Sequence, residues 1–418
     1  MRRVFFMFAL IMAGEMIFGL PFHTARFFRP TMLEVFGFSN TVLGDLFAVY
    51  GITAMIAYFP GGALADRFPA RNLLAASLLA TSLGGLYMLT IPNALQMAML
   101  YGYFGITSIF LLWGALIRAT REWGGHDTQG EAFGLLEAGR GLAAASVGML
   151  AIAAFASYLP PDPSAASDAE RLLGFRSLVA LYTAITAATA VLVWFAVPVI
   201  DIETDQRPSP WANMLTVMRK RIVWAQAGII VFAYCGFKGL DNYSLYAVQV
   251  LGMNEVDGAR LATYGTYLRP LAALAAGLVA DRFSANRTIL VLFAAAAVAF
   301  GVLSQVSPER GGLVIIYANI IVSLFAVFAL RGIYFALLEE TAIPKQMTGA
   351  AVGLISLVGF TPEIFFAPIA GRILDAAPGA AGHLNYFLFL AVLSAAGVAV
   401  AFWLSRMRGN KRAADPVS

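Results

Sequence analysis

The sequence predicts an all-α, polytopic membrane protein with twelve transmembrane helices in two pseudo-symmetric six-helix bundles. Hydrophobic residues make up 60% of the 418 positions and charged residues only 12%, and the mean hydropathy is +0.76. Soluble domains carry about 25% charged residues, so this composition argues against a soluble fold. The apolar runs are long and continuous rather than alternating, which favours helices over barrel strands. A charged turn at 61–72 recurs at 276–287, which indicates a duplicated chain.

The first half contains six apolar windows bounded by charged residues, proline or glycine. The first window follows Arg2 and Arg3 and resembles a signal peptide, but no small-residue cleavage site closes it, so we expect a retained helix. The second window ends at the charged turn, and a loop rich in Pro, Ser and Asp (159–175) separates the fifth from the sixth. The windows lie near 4–24, 42–63, 72–92, 97–118, 133–158 and 176–198.

The second half repeats this order after a polar segment. Its six windows lie near 222–246, 260–280, 287–306, 312–336, 349–373 and 384–405. The domains are therefore predicted as an N-terminal bundle at 1–198, a cytoplasmic linker at 199–221, and a C-terminal bundle with a short cytoplasmic tail at 222–418.

The basic residues predict the orientation of these helices. An even number of spans places both termini on the same side of the bilayer. With the termini in the cytoplasm, 17 of the 28 Lys and Arg residues fall in cytoplasmic segments and 7 on the opposite side. This bias is the one that the positive-inside rule describes. We therefore expect a multi-pass inner membrane protein, surrounded by the lipid bilayer, with both termini cytoplasmic.

Several classes of function lack the residues they need. The single cysteine, Cys235, excludes an internal disulfide and a cysteine-based metal site, and the three histidines show no ligand spacing. The sequence has neither a P-loop motif nor a Ser-His-Asp set, which argues against ATP-driven transport and catalysis. The pI of 9.2 follows from basic cytoplasmic loops and does not require nucleic acid. We expect no catalytic residue, metal or cofactor, and a monomer.

The repeated turn predicts a gate. Gly62 precedes Asp66 by four residues, and Gly277 precedes Asp281 by four. Glycine lets two helices approach closely, and an aspartate at a helix end can accept hydrogen bonds from a neighbouring helix or pair with arginine. Charge that only sets the topology is the alternative interpretation. Gating roles are assigned to Asp66, Arg67, Arg71, Asp281, Arg282 and Arg331.

The pattern G-x-x-x-D-R-x-x-x-R after the second helix, echoed in the second half, resembles the signature loop of the major facilitator superfamily. The resemblance covers the whole chain, with twelve helices, two halves and a long central loop. This chain departs from the pattern at Pro69 and Ala70, and in the second copy Asn286 precedes Arg287. The family implies a central cavity between the halves and alternating access by rocking of one half against the other.

Two segments, 234–244 and 336–360, resemble the organophosphate:phosphate antiporter branch of that family. That branch holds phosphate with arginines in helices 1 and 7 and a histidine in helix 5. The basic residues near those positions are here His23 or Arg26 in helix 1, Arg140 in helix 5 and Lys238 in helix 7. Lysine is a point charge, whereas arginine offers a bidentate fork for phosphate or carboxylate. The resemblance therefore implies an anionic or polyhydroxy small solute rather than a named phosphate ester.

Charged residues inside the predicted spans mark the candidate site, because charge at membrane depth costs at least about 2.5–3.5 kcal/mol. Four are basic and four acidic: Arg140, Lys238, Arg269, Arg331, Glu15, Glu137, Asp241 and Glu363. Residues three apart on a helix are neighbours, so Glu137 with Arg140 and Lys238 with Asp241 can pair locally. Such structural ion pairs are the alternative to a role in binding.

Three of the acids are candidates for proton coupling or for a charge pair: Glu15, Asp241 and Glu363. Glu15 lies in the middle of the first span, with no Lys or Arg near it on its own helix. A carboxyl in such a place can bind and release a proton, or it can pair with Arg269 or Arg331. A contact with the substrate is a third interpretation.

The basic residues are candidates for substrate binding. Arg269 lies beside Tyr264, Tyr267 and Pro270, and aromatic and basic residues at mid-depth suit a polar organic ligand. The proline is expected to kink this helix. Substrate binding is assigned to His23, Arg26, Arg140, Lys238, Tyr243 and Arg269.

The sequence favours a secondary carrier for a small anionic organic solute, of the organic acid, sugar acid or sugar phosphate type. Transport by alternating access is expected to use proton symport or solute exchange, which makes the solute and protons its partners. The alternative is a proton-coupled efflux antiporter for hydrophobic compounds. Against it, span 5 lacks the Gly-Pro pair that drug/proton antiporters carry there. A membrane enzyme is disfavoured because the sequence contains no recognisable set of catalytic residues. A channel is disfavoured because two similar halves with cytoplasmic latches are typical of alternating access rather than of a fixed pore.

Overall fold

The structure is a computed structural model that describes residues 2–125, 128–199, 214–306, 308–337 and 348–414. Within these ranges all regular secondary structure is helical. Each of the twelve predicted windows is helical in its described part. The all-α prediction is therefore confirmed for the residues described.

The first half contains six spans, which we number α1 to α6. They are α1 (Arg2–Met16, continued by Gly19–His23 and Thr24–Phe27), α2 (Asn40–Ala65), α3 (Ala70–Met88), α4 (Ala94–Gly105, Ile106–Trp113 and Gly114–Gly124), α5 (Gln129–Ala156) and α6 (Asp168–Ala196). A short helix, Arg29–Phe36, joins α1 to α2, and a 3-10 turn, Pro163–Ala165, precedes α6. Ser167 caps the start of α6, where its hydroxyl accepts from the Glu170 N–H and the Glu170 carboxylate accepts from the Ser167 N–H.

The second half contains α7 to α12, preceded by the short helix Met214–Met218. They are α7 (Arg221–Gly239, Leu240–Asn242 and Tyr243–Gln249), α8 (Glu255–Thr266 and Leu268–Arg282), α9 (Ala285–Leu303), α10 (Pro308–Ile333 and Tyr334–Ala336), α11 (Thr348–Gly359 and Pro362–Ala376) and α12 (Ala380–Ala414). Most of the predicted linker, residues 200–213, lies outside the described residues.

Nine of the described helices are long and apolar enough to cross a membrane, and the two bent parts of α1 make a tenth. The two remaining predicted spans are α3 and α8. Both are helical, but α3 begins with Arg71 and Asn72, and α8 is broken after Thr266 and carries Arg269. Their polar residues lower the hydropathy without preventing the helix.

The same pairs of helices pack together in both halves. In the first half α1 packs against α5 and α6, and α3 packs against α4 and α6. In the second half α7 packs against α11 and α12, and α9 packs against α10 and α12. Each pair in the second half is the corresponding first-half pair shifted by six helices. This pattern agrees with the duplication inferred from the repeated turn.

The chain divides into two compact units. Unit 1 comprises residues 1–204 together with 241–270 and 363–375. Unit 2 comprises residues 205–240, 271–362 and 376–418. In unit 1, therefore, parts of α7, α8 and α11 pack with the helices of the first half. The division of the chain into domains at 198 and 222 stays a prediction.

Several spans of this fold depart from a straight α-helix, among them α1, α4 and α8. In α1 the His23 N–H donates to the Phe18 carbonyl, which makes a π-helical turn over Gly19–His23 and a bend of 43°. Pro21 in this turn has no N–H, so it cannot continue the α-helical ladder. In α4 a π-helical stretch covers Ile106–Trp113. In α8 the helix is interrupted at Tyr267, three residues before Pro270.

Candidate functional site: a buried ring of charges

Four charged side chains from three helices of unit 1 form a closed ring. Arg140 Nε donates to Glu15 Oε2 at 2.9 Å, and Arg269 Nη1 donates to Glu15 Oε1 at 3.4 Å. Arg269 Nη2 donates to Glu137 Oε2 at 2.8 Å, and Arg140 Nη1 donates to Glu137 Oε1. Each arginine thus bridges both carboxylates. We call Glu15, Glu137, Arg140 and Arg269 the charge ring.

The two carboxylates of the charge ring have different surroundings. Glu15 is only 3% exposed, like Arg140, whereas the Glu137 side chain is 44% exposed. Glu15 therefore lies at the buried side of the ring and Glu137 forms its exposed edge. Removing one partner from a buried ion pair leaves a charge without compensation, which costs several kcal/mol. The buried side of the ring is thus sensitive to any change in the charge of Glu15.

His23 provides a third cationic or hydrogen-bonding neighbour for Glu15. Its Nε2 lies 3.2 Å from Glu15 Oε1, and the imidazole is 2% exposed. The π-helical turn of α1 brings His23 back toward Glu15, although the two residues are eight positions apart. Groups from α1, α5 and α8 therefore converge on a single carboxylate.

Small residues make room for the two arginine stems. A Cβ on Gly141 would lie 3.1 Å from Arg269 Cδ, and a Cβ on Gly14 would lie 2.9 Å from Leu116 Cδ2 and 3.3 Å from Arg140 Cδ. Both distances are shorter than ordinary carbon contacts, so a larger residue would displace the arginines. The guanidinium of Arg140 also lies 5.9 Å from the ring of Trp113, within cation–π range.

A second buried ion pair lies at the bent end of α1. Arg26 Nε donates to Asp241 Oδ1 at 2.5 Å, and Ser244 Oγ donates to the Arg26 carbonyl at 2.8 Å. Arg26 and Asp241, which the sequence assigned to different roles, are therefore partners. This pair joins α1 to the part of α7 that belongs to unit 1.

The remaining candidates for substrate binding and coupling lie outside the charge ring. Tyr243 is 1% exposed in unit 1, and Lys238 is 2% exposed in unit 2. Glu363 is partly buried in unit 1, where its backbone carbonyl lies against Gly51. Roles for these three residues in binding or coupling stay predictions.

The gating candidates are mostly at the surface of their own unit. The side chains of Asp66, Arg67, Asp281 and Arg282 are exposed. Within the described residues Asp66 has no ion pair, and the end of α2 is instead held by Arg118, whose Nη1 donates to the Ala65 carbonyl at 2.8 Å. The guanidinium of Arg71 stacks 4.7 Å from the ring of Trp194, and that of Arg331 4.0 Å from the ring of Phe237. The latch stays a prediction.

Sequence reasoning left two features of unit 1 out of the site. Glu137 was considered only as a local partner of Arg140, yet it also binds Arg269 and closes the charge ring. Glu255 at the start of α8 accepts a hydrogen bond from Thr31 Oγ1 at 2.7 Å and pairs with Arg171 at 2.9 Å. The i,i+3 spacing pointed to the first contact of Glu137, but no sequence signal pairs residues that lie more than a hundred positions apart.

Comparison with known proteins agrees with this architecture. The family model of the Major Facilitator Superfamily matches residues 4–367. Inner membrane protein YihN of Escherichia coli K12 is 25% identical over 415 residues, covering 96% of this chain and 95% of that protein. Inner membrane protein YqcE of the same organism is 26% identical over 381 residues, covering 89% and 87%. The probable nitrate/nitrite antiporter NarK1 of Thermus thermophilus is 24% identical over 391 residues, covering 87% and 82%.

Solved structures show the same fold at low sequence identity. A bacterial homologue of the human lysosomal transporter Spinster superposes with a TM-score of 0.75 at 13% identity, covering 97% of both chains. The nucleoside transporter NupG superposes with a TM-score of 0.72 at 14% identity, covering 97% of this chain and 98% of that chain. With its family model spanning most of the sequence, this chain belongs to the major facilitator superfamily of secondary transporters and is a multi-pass membrane protein.

Proposed function

We propose that this transporter carries a small organic anion across the inner membrane by alternating access, with proton symport as its coupling. The observation that supports the proposal most directly is the Glu15 carboxylate, which is held by Arg140, Arg269 and His23 in a buried position. Two guanidinium groups that converge on one carboxylate form an anion-binding geometry. Glu15 occupies that geometry as an internal anion.

Charge balance gives a reason for coupling. With both acids ionised, the two glutamates and two arginines of the charge ring sum to zero. Protonation of Glu15 removes one negative charge and leaves the ring with a net positive charge. A bound monoanion restores neutrality, so proton and anion favour each other's binding by linkage. The expected stoichiometry is about one proton for each monoanion.

The exposure of Glu137 indicates the side from which the anion would enter. Its half-exposed carboxylate bridges the same two arginines as Glu15, so it can move aside without leaving a charge in a dry environment. Glu15 and Glu137 bind the same two arginines, but their different burial suits them to different roles. Glu137 is proposed to give up its contacts with the two arginines to the anion at the exposed edge of the ring, and Glu15 to take the proton.

The comparisons support an anionic substrate only at the level of class. One relative, from Thermus thermophilus, is named as a probable antiporter of nitrate and nitrite, which are small anions. Coupling by exchange remains open within this proposal, because a second anion can replace the first at the two arginines without a proton. The sequence-based alternative, efflux of hydrophobic compounds, does not use the converging arginines.

A thermal-shift screen of the purified protein tests the proposal. Carboxylates, sugar acids, sugar phosphates, nitrate, neutral sugars and hydrophobic cations are compared at mildly acidic and neutral pH. An anion at about 100 times its Kd stabilises the folded protein by about 2.7 kcal/mol, which raises the melting temperature. We expect anions alone to produce this shift, and a larger shift at acidic pH.

Two variants make the screen specific. Arg269→Gln should lose the shift, whereas Arg260→Gln should keep it, because Arg260 is exposed and pairs only with Asp257 on its own helix. A shift by hydrophobic cations and by no anion would favour the efflux alternative. An anion shift that survives Arg269→Gln would place the binding site outside the charge ring.

A further inference from the structure

The imidazole of His23 has one nitrogen engaged and one without a partner. Nε2 lies 3.2 Å from Glu15 Oε1. Nδ1 is buried and has no hydrogen-bond partner among the described residues. A buried ring nitrogen is normally satisfied, because an unpaired polar atom away from water costs about 1–3 kcal/mol. An exception of this kind, directly beside the carboxyl proposed to take the proton, requires an explanation.

The hydroxyl of Tyr182 is a second buried polar atom without a hydrogen-bond partner in the part of the chain that the structure describes, and the Tyr182 ring lies near the His23 ring. The rings of the two residues are 6.0 Å apart, and Tyr182 is 0% exposed. The Tyr182 ring packs on Gly19, where an added Cβ would lie 2.8 Å from Tyr182 Cδ1. The π-helical turn thus carries both Gly19, on which the Tyr182 ring packs, and His23. Such turns are frequent at functional sites.

We propose that His23 is the proton relay of Glu15, the group through which the coupling proton reaches and leaves the carboxylate. This inference rests on the proposed function, in which Glu15 is the acid that is protonated. It assigns His23 to proton transfer rather than to the substrate binding predicted from the sequence.

In the relay step His23 gains one proton at one ring nitrogen and gives up one from the other. A proton binds to Nδ1, and the proton on Nε2 moves to Glu15 Oε1 across the 3.2 Å contact. The imidazole ends neutral in its other tautomer, and Glu15 ends as a neutral carboxylic acid. The reverse step, with the proton leaving from Nδ1, restores the starting tautomer. The imidazole can do this because it has two nitrogens that exchange donor and acceptor roles.

The groups around His23 favour transfer over storage of the proton. The charged residues that act on the ring are Glu15 and Arg26 on α1 and Arg269 on α8, and Tyr182 of α6 and Phe27 pack against it. Two guanidinium groups and full burial make a lasting imidazolium costly. Glu15 is the only acid among these neighbours, so it is the acceptor to which the ring can pass the proton.

A static role makes a different prediction. If His23 only donates a hydrogen bond that orients the Glu15 carboxylate, then a glutamine, whose side-chain amide can also donate, should serve nearly as well. Glutamine cannot pass a proton from one end of its side chain to the other. His23→Gln therefore separates orientation from relay.

Time-resolved infrared spectroscopy after a pH jump measures the step without a known substrate. The carbonyl stretch of protonated Glu15 is assigned as the band that Glu15→Gln removes. We expect His23→Gln to reach the same final amplitude as the wild type at a rate at least about tenfold lower, since general acid–base groups contribute factors of about 100 or more. His383→Gln, at another buried histidine (1% exposed), should leave the rate unchanged.

The outcomes separate the relay from the function on which it rests. Absence of the Glu15 band in the wild type would overturn the proposal that Glu15 is protonated, and with it the relay. In His23→Gln, a Glu15 band that forms at the wild-type rate would overturn the relay, and so would a band of reduced amplitude. Either result would leave the proposed protonation of Glu15 in the wild type intact. Restoration of the fast rate by imidazole in His23→Ala would support the relay.

A measurement on the unmutated protein covers the case in which the variants fail to fold. The three histidines of the chain are labelled with nitrogen-15, and the ring bands are followed together with the carbonyl band. The relay requires a labelled ring band to change before the Glu15 band or together with it. Protonation of Glu15 with no change in any labelled ring overturns the proposal.

Discussion

At the scale of residues, the charge ring depends on mutual compensation. Glu15 is buried, and its carboxylate accepts hydrogen bonds from the guanidinium groups of Arg140 and Arg269. A buried ion pair of this kind contributes little net stability compared with an apolar pair, but it is costly to break from one side. The ring is therefore better suited to responding to a proton or an anion than to holding the fold together.

The compensation can be measured with a double-mutant cycle. Arg140→Gln leaves Glu15 with one guanidinium fewer, and we expect the free energy of unfolding to fall by about 3 kcal/mol. Adding Glu15→Gln removes the uncompensated charge and should recover most of this loss, so the two changes are strongly non-additive. Denaturant titration of the purified variants provides the measurement. Additive losses in the double variant would mean that the two side chains do not compensate each other.

A second acidic group, Glu255, precedes the apolar window of α8 at 260–280 and lies beside the carboxyl of Glu34. Burial, helped by the neighbouring Glu34 carboxyl, raises the pKa of Glu255, against the opposing effects of Thr31 and Arg171. A carboxyl with a raised pKa binds its proton more tightly in the folded contact than when it is free. The contact is therefore favoured at low pH, and it weakens as the pH rises from the ordinary glutamate value through the raised one.

Hydrogen exchange of the start of α8 checks this pH dependence. Amides near Glu255 should exchange faster as the pH rises through that window, after correction for the intrinsic rate. Glu255→Gln should exchange slowly throughout, whereas Asp257→Asn, at an exposed neighbour that pairs with Arg260, should behave as the wild type. Equal pH dependence in Glu255→Gln and in the wild type would exclude Glu255 as the titrating group.

At the scale of elements, long apolar windows predicted the helices, but most interruptions within the helices were not predicted. The twelve apolar windows all became helical because a helix satisfies its own backbone wherever the surroundings are apolar. The predicted kink rested on the missing N–H of Pro270, and α8 is interrupted three residues earlier, at Tyr267. The π-helical turn at Gly19–His23 and the longer one at Ile106–Trp113 were not predicted. Their extra residue is accommodated by contacts with other helices, and local sequence does not encode those contacts.

The same limit applies to the charge ring. Pairing with Arg269 or Arg331 was one of three interpretations of Glu15 from the sequence, and pairing with Arg140 was one of two for Glu137. The structure contains the contacts of Glu15 with Arg269 and of Glu137 with Arg140. The sequence assigned Arg26 and Asp241 to separate roles, although they bind each other. Burial cost predicts which side chains need a partner, but the choice among partners depends on how the helices pack.

Glycines allow α2 to approach α11 within unit 1. A Cβ on Gly44 would lie 2.3 Å from the Ala367 carbonyl oxygen, and a Cβ on Gly51 would lie 2.6 Å from the Glu363 carbonyl oxygen. Backbone atoms cannot move aside as a flexible side chain can. Gly44→Ala and Gly51→Ala should therefore each lower the free energy of unfolding by about 1–3 kcal/mol.

A glycine on the same helix provides the control for this prediction. Gly62 has no atom within 4 Å of an added Cβ. Gly62→Ala should be neutral or slightly stabilising, because alanine favours the helix by up to about 1 kcal/mol. Thermal melts of the three variants compare these effects. If Gly62→Ala lowered the stability as much as Gly44→Ala, close packing against α11 would not explain the effect at Gly44.

At the scale of the whole molecule, duplication gives both halves the same helix pairings while their charged residues differ. The charge ring takes Glu15, Glu137 and Arg140 from the first half and Arg269 from α8 of the second. A change in the charge of Glu15 therefore acts on helices from both halves of the sequence. This is the feature that the proposed coupling requires, since the affinity for the anion must depend on the proton.

Proton uptake during anion binding tests the central claim most directly. An anion identified by the thermal-shift screen is mixed with the purified protein in weakly buffered solution containing a pH indicator. We expect the wild type to take up about one proton for each monoanion bound, and Glu15→Gln to bind the anion with no proton uptake. Anion binding by the wild type without proton uptake, or equal uptake by Glu15→Gln, would contradict the assignment of Glu15 as the site of coupling.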